Sequence, residues 1–144
     1  MRLSEAEKEM ITYKKFGLEQ FERVKEIYKS ENWLAYLNND DALKRAFENS
    51  LLCLGAFSGD ELVGFVRCVG DGEHIVVVQD LIVSKEFQRQ KIGTTLFKTV
   101  WDRYAHVRMF QVNTDIEDER DNLFYRSFGM KPVEEGHMIS YFLC

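Results

Sequence analysis

The chain has 144 residues, 45% of them hydrophobic and 13% aromatic, with one proline and a net charge of -5. That length and apolar share suit one domain over residues 1–144 with a full core, and exclude collagen-like or proline-rich disorder. The acidic balance argues against a nucleic-acid binder, which needs clustered Lys and Arg to meet phosphates, and favours encounter with cationic small molecules.

In chain order, EMITYKKF reads as a first strand ending before Gly17. Leu18, Phe21, Val24, Ile27 and Tyr28 then recur at helical spacing, which predicts an amphipathic helix. ENWLAYLNNDD breaks it, and Asp40 or Asp41 is the expected cap of a second helix over ALKRAFENS. LLCLGAF, ELVGFVRCV and EHIVVVQDLIV, joined by the turns SGD and GDG, predict three consecutive strands. The third is nearly all apolar from Ile75 to Val83. It therefore reads as a central strand buried on both faces, kinked or bulged at Gln79 and Asp80.

A helix begins near Gly93, with Leu96, Phe97, Val100, Trp101 and Tyr104 on one face. VRMFQVNT is a fifth strand. IEDERDNLFYRSFGM is a helix with an acidic first turn and Gly129 at its end, and HMISYFLC is a closing strand. These elements describe an α+β domain with a mixed sheet.

Cys53, Cys68 and Cys144 are odd in number and lack C-x-x-C spacing, so no disulfide or metal site is expected of them. Reduced thiols point to the cytoplasm. MRLSEAEKEM has no apolar signal region, and no run reaches the ~18 apolar residues of a membrane span. Neither secretion nor a membrane partner is expected. His74, His106 and His137 share no ligand spacing, and no metal is assigned.

The segment DLIVSKEFQRQKIGTTLF asks for a function, because a core has no use for Gln88, Arg89, Gln90 and Lys91 where a strand hands over to a helix. The first N–H groups of a helix lack intrahelical partners and carry partial positive charge, so an anion there gains hydrogen bonds and dipole attraction. Gly93 lets a ligand approach the backbone closely. Arg89 and Lys91 add cations, while Gln88, Gln90, Thr94 and Thr95 add donors. The physical reading is a pyrophosphate cradle. One glycine alone leaves a solvated surface loop as the simpler account.

LIVSKEFQRQKIGTTLF also resembles the coenzyme A motif of the GNAT acetyltransferases, L-x-V-x-P-x-[YF]-[QR]-x-x-G-[IL]-G-x-x-L. Leu81, Val83, Phe87, Gln88, Ile92, Gly93 and Leu96 carry the likeness. Lys85 stands where proline is usual and Lys91 where the first glycine is usual. Lys91 is expected in the right-handed region, with its N–H turned to the ligand and its ammonium beside a phosphate. NLFYRSFGMKPV is similar to the family's FYEKLGF helix end, with Phe124, Tyr125, Gly129 and Met130 in register. The order of elements agrees, and the resemblance covers essentially the whole chain, as in small single-domain bacterial members. It implies the GNAT (acyl-CoA N-acyltransferase) fold: a mixed, mostly antiparallel central sheet flanked by helices, with splayed central strands.

The resemblance further implies acetyl-CoA as co-substrate. Leu81, Ile82 and Val83 would bond pantetheine as an added strand does, and Gln88, Arg89, Gln90, Lys91, Ile92, Gly93, Thr94 and Thr95 would hold the diphosphate. Asn113 would lie by the splayed gap, and Phe124 and Tyr125 would complete the coenzyme site. Tyr125 matches the position whose hydroxyl protonates the leaving thiolate, although spacing alone favours a core tyrosine on an aromatic helix face. Asp80 is a candidate base, directly or through water, or it fixes a bulge. Trp33 and Tyr36 either stack on a cationic amine or pack on the sheet. The cluster Asp115, Glu117, Asp118, Glu119 and Asp121 is a solvated helix start that could also attract a cation.

The expected function is N-acetylation of a primary amine on a small molecule, by direct transfer in a ternary complex, in a monomer or homodimer. The alternatives are a weakly active or inactive acyl-CoA-binding sensor on the same fold and, more remotely, a module for another phosphorylated ligand.

Overall fold

The structure, a computed structural model, describes residues 10–144. They gather into two compact units, one ending at Val112 and one spanning Asn113–Cys144. The first unit holds five strands: β1 (Ile11–Lys15), β2 (Leu52–Ser58), β3 (Glu61–Gly70), β4 (Ile75–Val83) and β5 (Met109–Val112). They lie in the order β1-β2-β3-β4-β5, antiparallel except for the parallel pair β4–β5. Its helices are α1 (Phe21–Ser30), α2 (Asp40–Glu48) and α3 (Ile92–Tyr104), the last crossing from β4 to β5.

The apolar spacing of α1 does what it predicts: Phe21, Val24, Ile27 and Tyr28 are buried against Phe57, Leu62, Phe65 and Ile82 of the sheet. Leu43 and Phe47 of α2 join the same cluster. Phe65 is its hub, meeting the rings of Phe16, Tyr28 and Phe47 edge-on. Burying each such side chain is worth about 1.5–3 kcal/mol. The cap of α2 is Asn39, whose side chain accepts the Ala42 N–H at 3.0 Å, so Asp40 and Asp41 fall in the first turn rather than at the cap. There they still favour the helix dipole.

β3, and not β4, is the strand covered on both faces, since it is buried continuously from Leu62 to Cys68. Along β4 burial alternates: Val76, Val78, Asp80 and Ile82 are buried, while Val77, Gln79, Leu81 and Val83 keep exposure. An apolar run reads the same whether its second face is covered fully or in part.

In the second unit, α4 (Glu119–Ser127) is capped by Asp118, which accepts the Asp121 N–H at 3.0 Å. The helix ends at Gly129, whose φ of +87° only glycine adopts without strain. A 3-10 turn over Val133–Gly136 follows, tied back by the Arg126–Glu135 ion pair at 2.7 Å. Residues 137–144 form no strand, against expectation, and Tyr141, Phe142 and Leu143 are almost fully exposed. Alternating apolar residues make a strand only when a neighbour supplies ladder bonds, and no described strand pairs with this segment.

Candidate active site

The sheet forks at Gln79. β5 pairs with β4 only over Ile75–Val78, so from Gln79 to Val83 the strand has β3 alone as its partner. At the same point the β3–β4 register slips: Arg67 faces Asp80 and Cys68 faces Val78, leaving Gln79 as the extra residue of a bulge. Of the kink or bulge expected at the polar pair, the bulge is there. Leu81, Ile82 and Val83, the proposed pantetheine contacts, lie on the forked stretch.

β4 leads through Ser84 and a 3-10 turn over Lys85–Phe87 into the polar loop, with Phe87 buried beneath it. Thr95 N–H donates to the Lys91 carbonyl at 3.0 Å, closing the first helical turn. The N–H groups of Ile92, Gly93 and Thr94 therefore have no intrahelical acceptor. Lys91 is left-handed (φ 64°, ψ 16°) and Ile92 begins the right-handed helix, a succession that turns neighbouring N–H groups into one concavity for an anion. Gly93 has no positive φ, and a Cβ built on it meets only Val83 Cγ2 at 3.7 Å. The protein itself does not demand glycine here; the bare backbone leaves room for an outside group. Arg89, Gln90, Lys91 and Thr94 are exposed around it. Thr95 is exposed too, but its hydroxyl donates to the Lys91 carbonyl at 3.0 Å.

Lys91 thus departs from the right-handed conformation expected of it, because the helix start requires a left-handed residue whichever side chain is present. Lys91→Gly is expected to stabilise the fold by about 0.5–1 kcal/mol in urea unfolding. Relief of a left-handed L-residue, about 1–2 kcal/mol, exceeds glycine's extra chain entropy of about 0.5–1 kcal/mol.

Gln88 also departs from expectation. Its amide nitrogen donates to the Val83 carbonyl at 2.9 Å and to Glu31, just past the end of α1, so its side chain braces the loop against the forked strand and is not directed to a ligand. The same bond engages one of the backbone acceptors assigned to pantetheine.

Asp80 is buried, at 1% exposure, with both oxygens engaged. Oδ2 accepts from Arg67 Nε at 2.6 Å and Tyr28 Oη at 2.7 Å; Oδ1 accepts from Tyr36 Oη at 2.8 Å. Gln79 Nε2 donates to the Tyr36 hydroxyl at 3.1 Å. Burial, then the Asp80 charge, pushes the Tyr28 and Tyr36 phenols upward, and both stay protonated donors. Trp33 is half-buried and stacked on Tyr28, with centroids 6.1 Å apart; the Tyr36 ring lies 4.7 Å from Tyr28. Both candidate acceptor residues therefore pack on α1, with Tyr36 partly accessible.

Sequence reasoning passed over Arg67 and Tyr28. The signal for Arg67 was present: one cation inside the apolar run ELVGFVRCV requires a buried acid, and the facing run IVVVQDLIV holds one, Asp80.

In the second unit, Asn113 is exposed and directly follows β5. Tyr125 is buried and its ring meets Phe124 edge-on at 5.1 Å, as Phe124 meets Phe128 at 5.3 Å. Burial first, then the charges of Asp121 and Asp118, raises the Tyr125 phenol well above its ordinary range, which keeps its proton on. The acidic cluster works locally: Asp115 accepts the Glu117 N–H at 2.9 Å, and Asp118 caps α4.

A forked parallel strand pair beside a helix start that offers bare N–H groups is an arrangement that can take an extended ligand along the free strand edge and its anionic end at the helix. The model of the acetyltransferase (GNAT) domain matches residues 7–137, drawing on both units, and the chain belongs to the GNAT acetyltransferase family. Members of this family are N-acetyltransferases that use acetyl-CoA. A GNAT-family acetyltransferase of Streptococcus pneumoniae is 34% identical with a TM-score of 0.78, covering 94% of this chain and 98% of that one. The PaiA N-acetyltransferase of Thermoplasma acidophilum, solved with coenzyme A, shares the fold at 19% identity and a TM-score of 0.67, over 84% and 89% of the two chains. So does an aminoglycoside acetyltransferase from an uncultured soil sample, solved with sisomicin, at 16% identity and a TM-score of 0.68, over 94% and 97%. Comparison with curated proteins gives no match. Among the described residues, no helix is long and apolar enough to cross a membrane.

Proposed function

We propose that this protein is an acetyl-CoA-dependent N-acetyltransferase that acetylates a primary amine of a small molecule by direct transfer, with both units forming one catalytic domain. The observation that carries this reading is the fork at Gln79 joined to the open helix start at Gly93. The residues fit the coenzyme. The N–H groups of Lys91, Ile92, Gly93 and Thr94 hold the diphosphate, with Arg89 and Lys91 as counter-charges. Leu81 and Ile82 would offer backbone to pantetheine. Bound acetyl-CoA supplies an activated acetyl carbon and a thiol leaving group. Holding the amine against that carbon contributes up to about 7–11 kcal/mol of rate in well-oriented cases. As the neutral amine nitrogen bonds the carbonyl carbon and the carbon–sulfur bond breaks, Tyr125 would give its hydroxyl proton to the departing sulfur, and the proton lost by the amine nitrogen would return through water to the Tyr125 phenolate.

The net charge of -5 favours a cationic acceptor. The three cysteines are free, which suits a reducing cytoplasm. Titration calorimetry with acetyl-CoA, CoA and ATP, followed by thiol release over aminoglycosides, polyamines and amino acids, tests the reading. Tight binding of both coenzyme forms, weak binding of ATP, and amine-dependent thiol release are expected. Equal affinity for ATP, or coenzyme binding with no release on any amine, overturns it.

A further inference from the structure

We infer that Asp80, paired with Arg67, is the positioning residue that holds the fork open and ties the α1–α2 segment to it, and is not the proton acceptor of the reaction. The inference rests on the coenzyme reading above. Three observations converge on one point of the strand. The Arg67–Asp80 pair spans β3 and β4 at the residue where the register slips, at 2.6 Å and with both side chains buried. β5 loses its pairing with β4 just before that point, at Val78. The other two donors to Asp80 come from across the fold: Tyr28 in the body of α1, and Tyr36 in the 3-10 turn Leu34–Asn38 that joins α1 to α2.

A bulge leaves one residue without a ladder partner, and its conformation persists only where the surroundings over-determine it. Here a charge-assisted bond fixes the strand from the β3 side, so Gln79 is turned out and the β5 side is left free to diverge. Among the described residues no buried side-chain polar atom lacks a partner, so the network is complete. If Asp80 took up a proton, the buried Arg67 guanidinium beside it would lose its counter-charge, which is a costly arrangement.

Asp80→Asn and Tyr28→Phe test this. Tyr28 is fully buried and removes one donor without changing the ring packing, so it serves if the Asp80 variant fails to fold. Asp80→Asn is expected to raise the Kd for CoA at least tenfold and Tyr28→Phe about threefold. Amide exchange over residues 76–83 and 34–38 should quicken about tenfold in Asp80→Asn, while residues 11–15 and 52–58 keep the parental rate. The acidic limb of the pH–rate profile, read with whichever of spermidine or sisomicin is turned over, should keep its midpoint in both variants. A parental Kd together with parental exchange over 76–83 overturns the inference, as does loss of the acidic limb in Asp80→Asn with CoA affinity intact. If the parent protein itself does not bind CoA, the functional reading fails, and the exchange rates still decide whether the pair holds the fork.

Discussion

Gly93→Asp is expected to weaken CoA binding by about a hundredfold, near 2.7 kcal/mol, without lowering thermal stability. The two halves of that result come from different physics. A Cβ at this position meets Val83 Cγ2 at 3.7 Å, ordinary contact, and Gly93 has helical backbone, so the side chain enters without displacing the protein. An acid in the first helical turn favours the dipole by about 0.3–1 kcal/mol, and aspartate also escapes the entropic cost of glycine. The free protein should hold or gain stability. The bound state loses on both steric and electrostatic grounds. At an effective dielectric near 20, two like charges about 4 Å apart repel by about 4 kcal/mol, and salt screens part of this. Gly93→Ala separates the contributions: it fills the space without the charge and should cost less, about tenfold. Calorimetry at two salt concentrations with parallel thermal unfolding reads all of this. Parental affinity in the aspartate variant would remove the diphosphate from the α3 start and with it the coenzyme site.

Local chemistry made part of this site legible and left part hidden. The open helix start at Gly93 could be placed because a lone glycine and flanking donors precede an apolar helical pattern within a few residues, and exposed N–H groups at a helix start are a short-range matter. Lys91 was misplaced because left-handed backbone at a non-glycine residue is imposed by the path the chain must take into α3. Gln88 looked like a ligand donor because its partner Glu31 lies 57 residues away. The donors to Asp80 stand 13, 44 and 52 residues away, so a carboxylate on a strand could be read as a base as readily as an anchor.

The sheet shows the same division. Turns with glycine and aspartate located β2, β3 and β4, since Asp71 accepts the N–H groups of Glu73, His74 and Ile75 and sets the β3–β4 turn from within four residues. Which strand is covered on both faces depended on the neighbours each acquires. β3 pairs with β2 over Glu61–Cys68 and with β4 over Gly64–Gly70, whereas β4 shares only four residues with β5. The fork is thus a property of strand length and register, which hydrophobic periodicity does not encode, while the bulge that starts it is announced by Gln79 and Asp80 interrupting an apolar run.

Tyr125→Phe is expected to lower kcat by about 10²–10³-fold while the Kd for CoA stays within twofold. Phenylalanine keeps the ring that packs against Phe124 and removes only the hydroxyl. An unassisted thiolate is a poorer leaving group than a thiol, so the loss should fall on the chemical step and leave binding alone. The direction of the phenol's shift supports the assignment. Burial and the nearby charges of Asp121 and Asp118 hold the proton on above the ordinary tyrosine pKa of about 10, so the donor stays loaded across the working pH range. It follows that the parental rate should show no alkaline limb from Tyr125 below about pH 10. Steady-state thiol release for parent and variant over pH 6–10, with CoA affinity measured alongside, checks both statements. A variant that turns over at the parental rate would show that the sulfur departs without this proton, and Tyr125 would revert to a buried ring on an aromatic helix face. An equal loss in kcat and in coenzyme affinity would mark the hydroxyl as a binding group, and the proton would then have to come from elsewhere in the chain or from water.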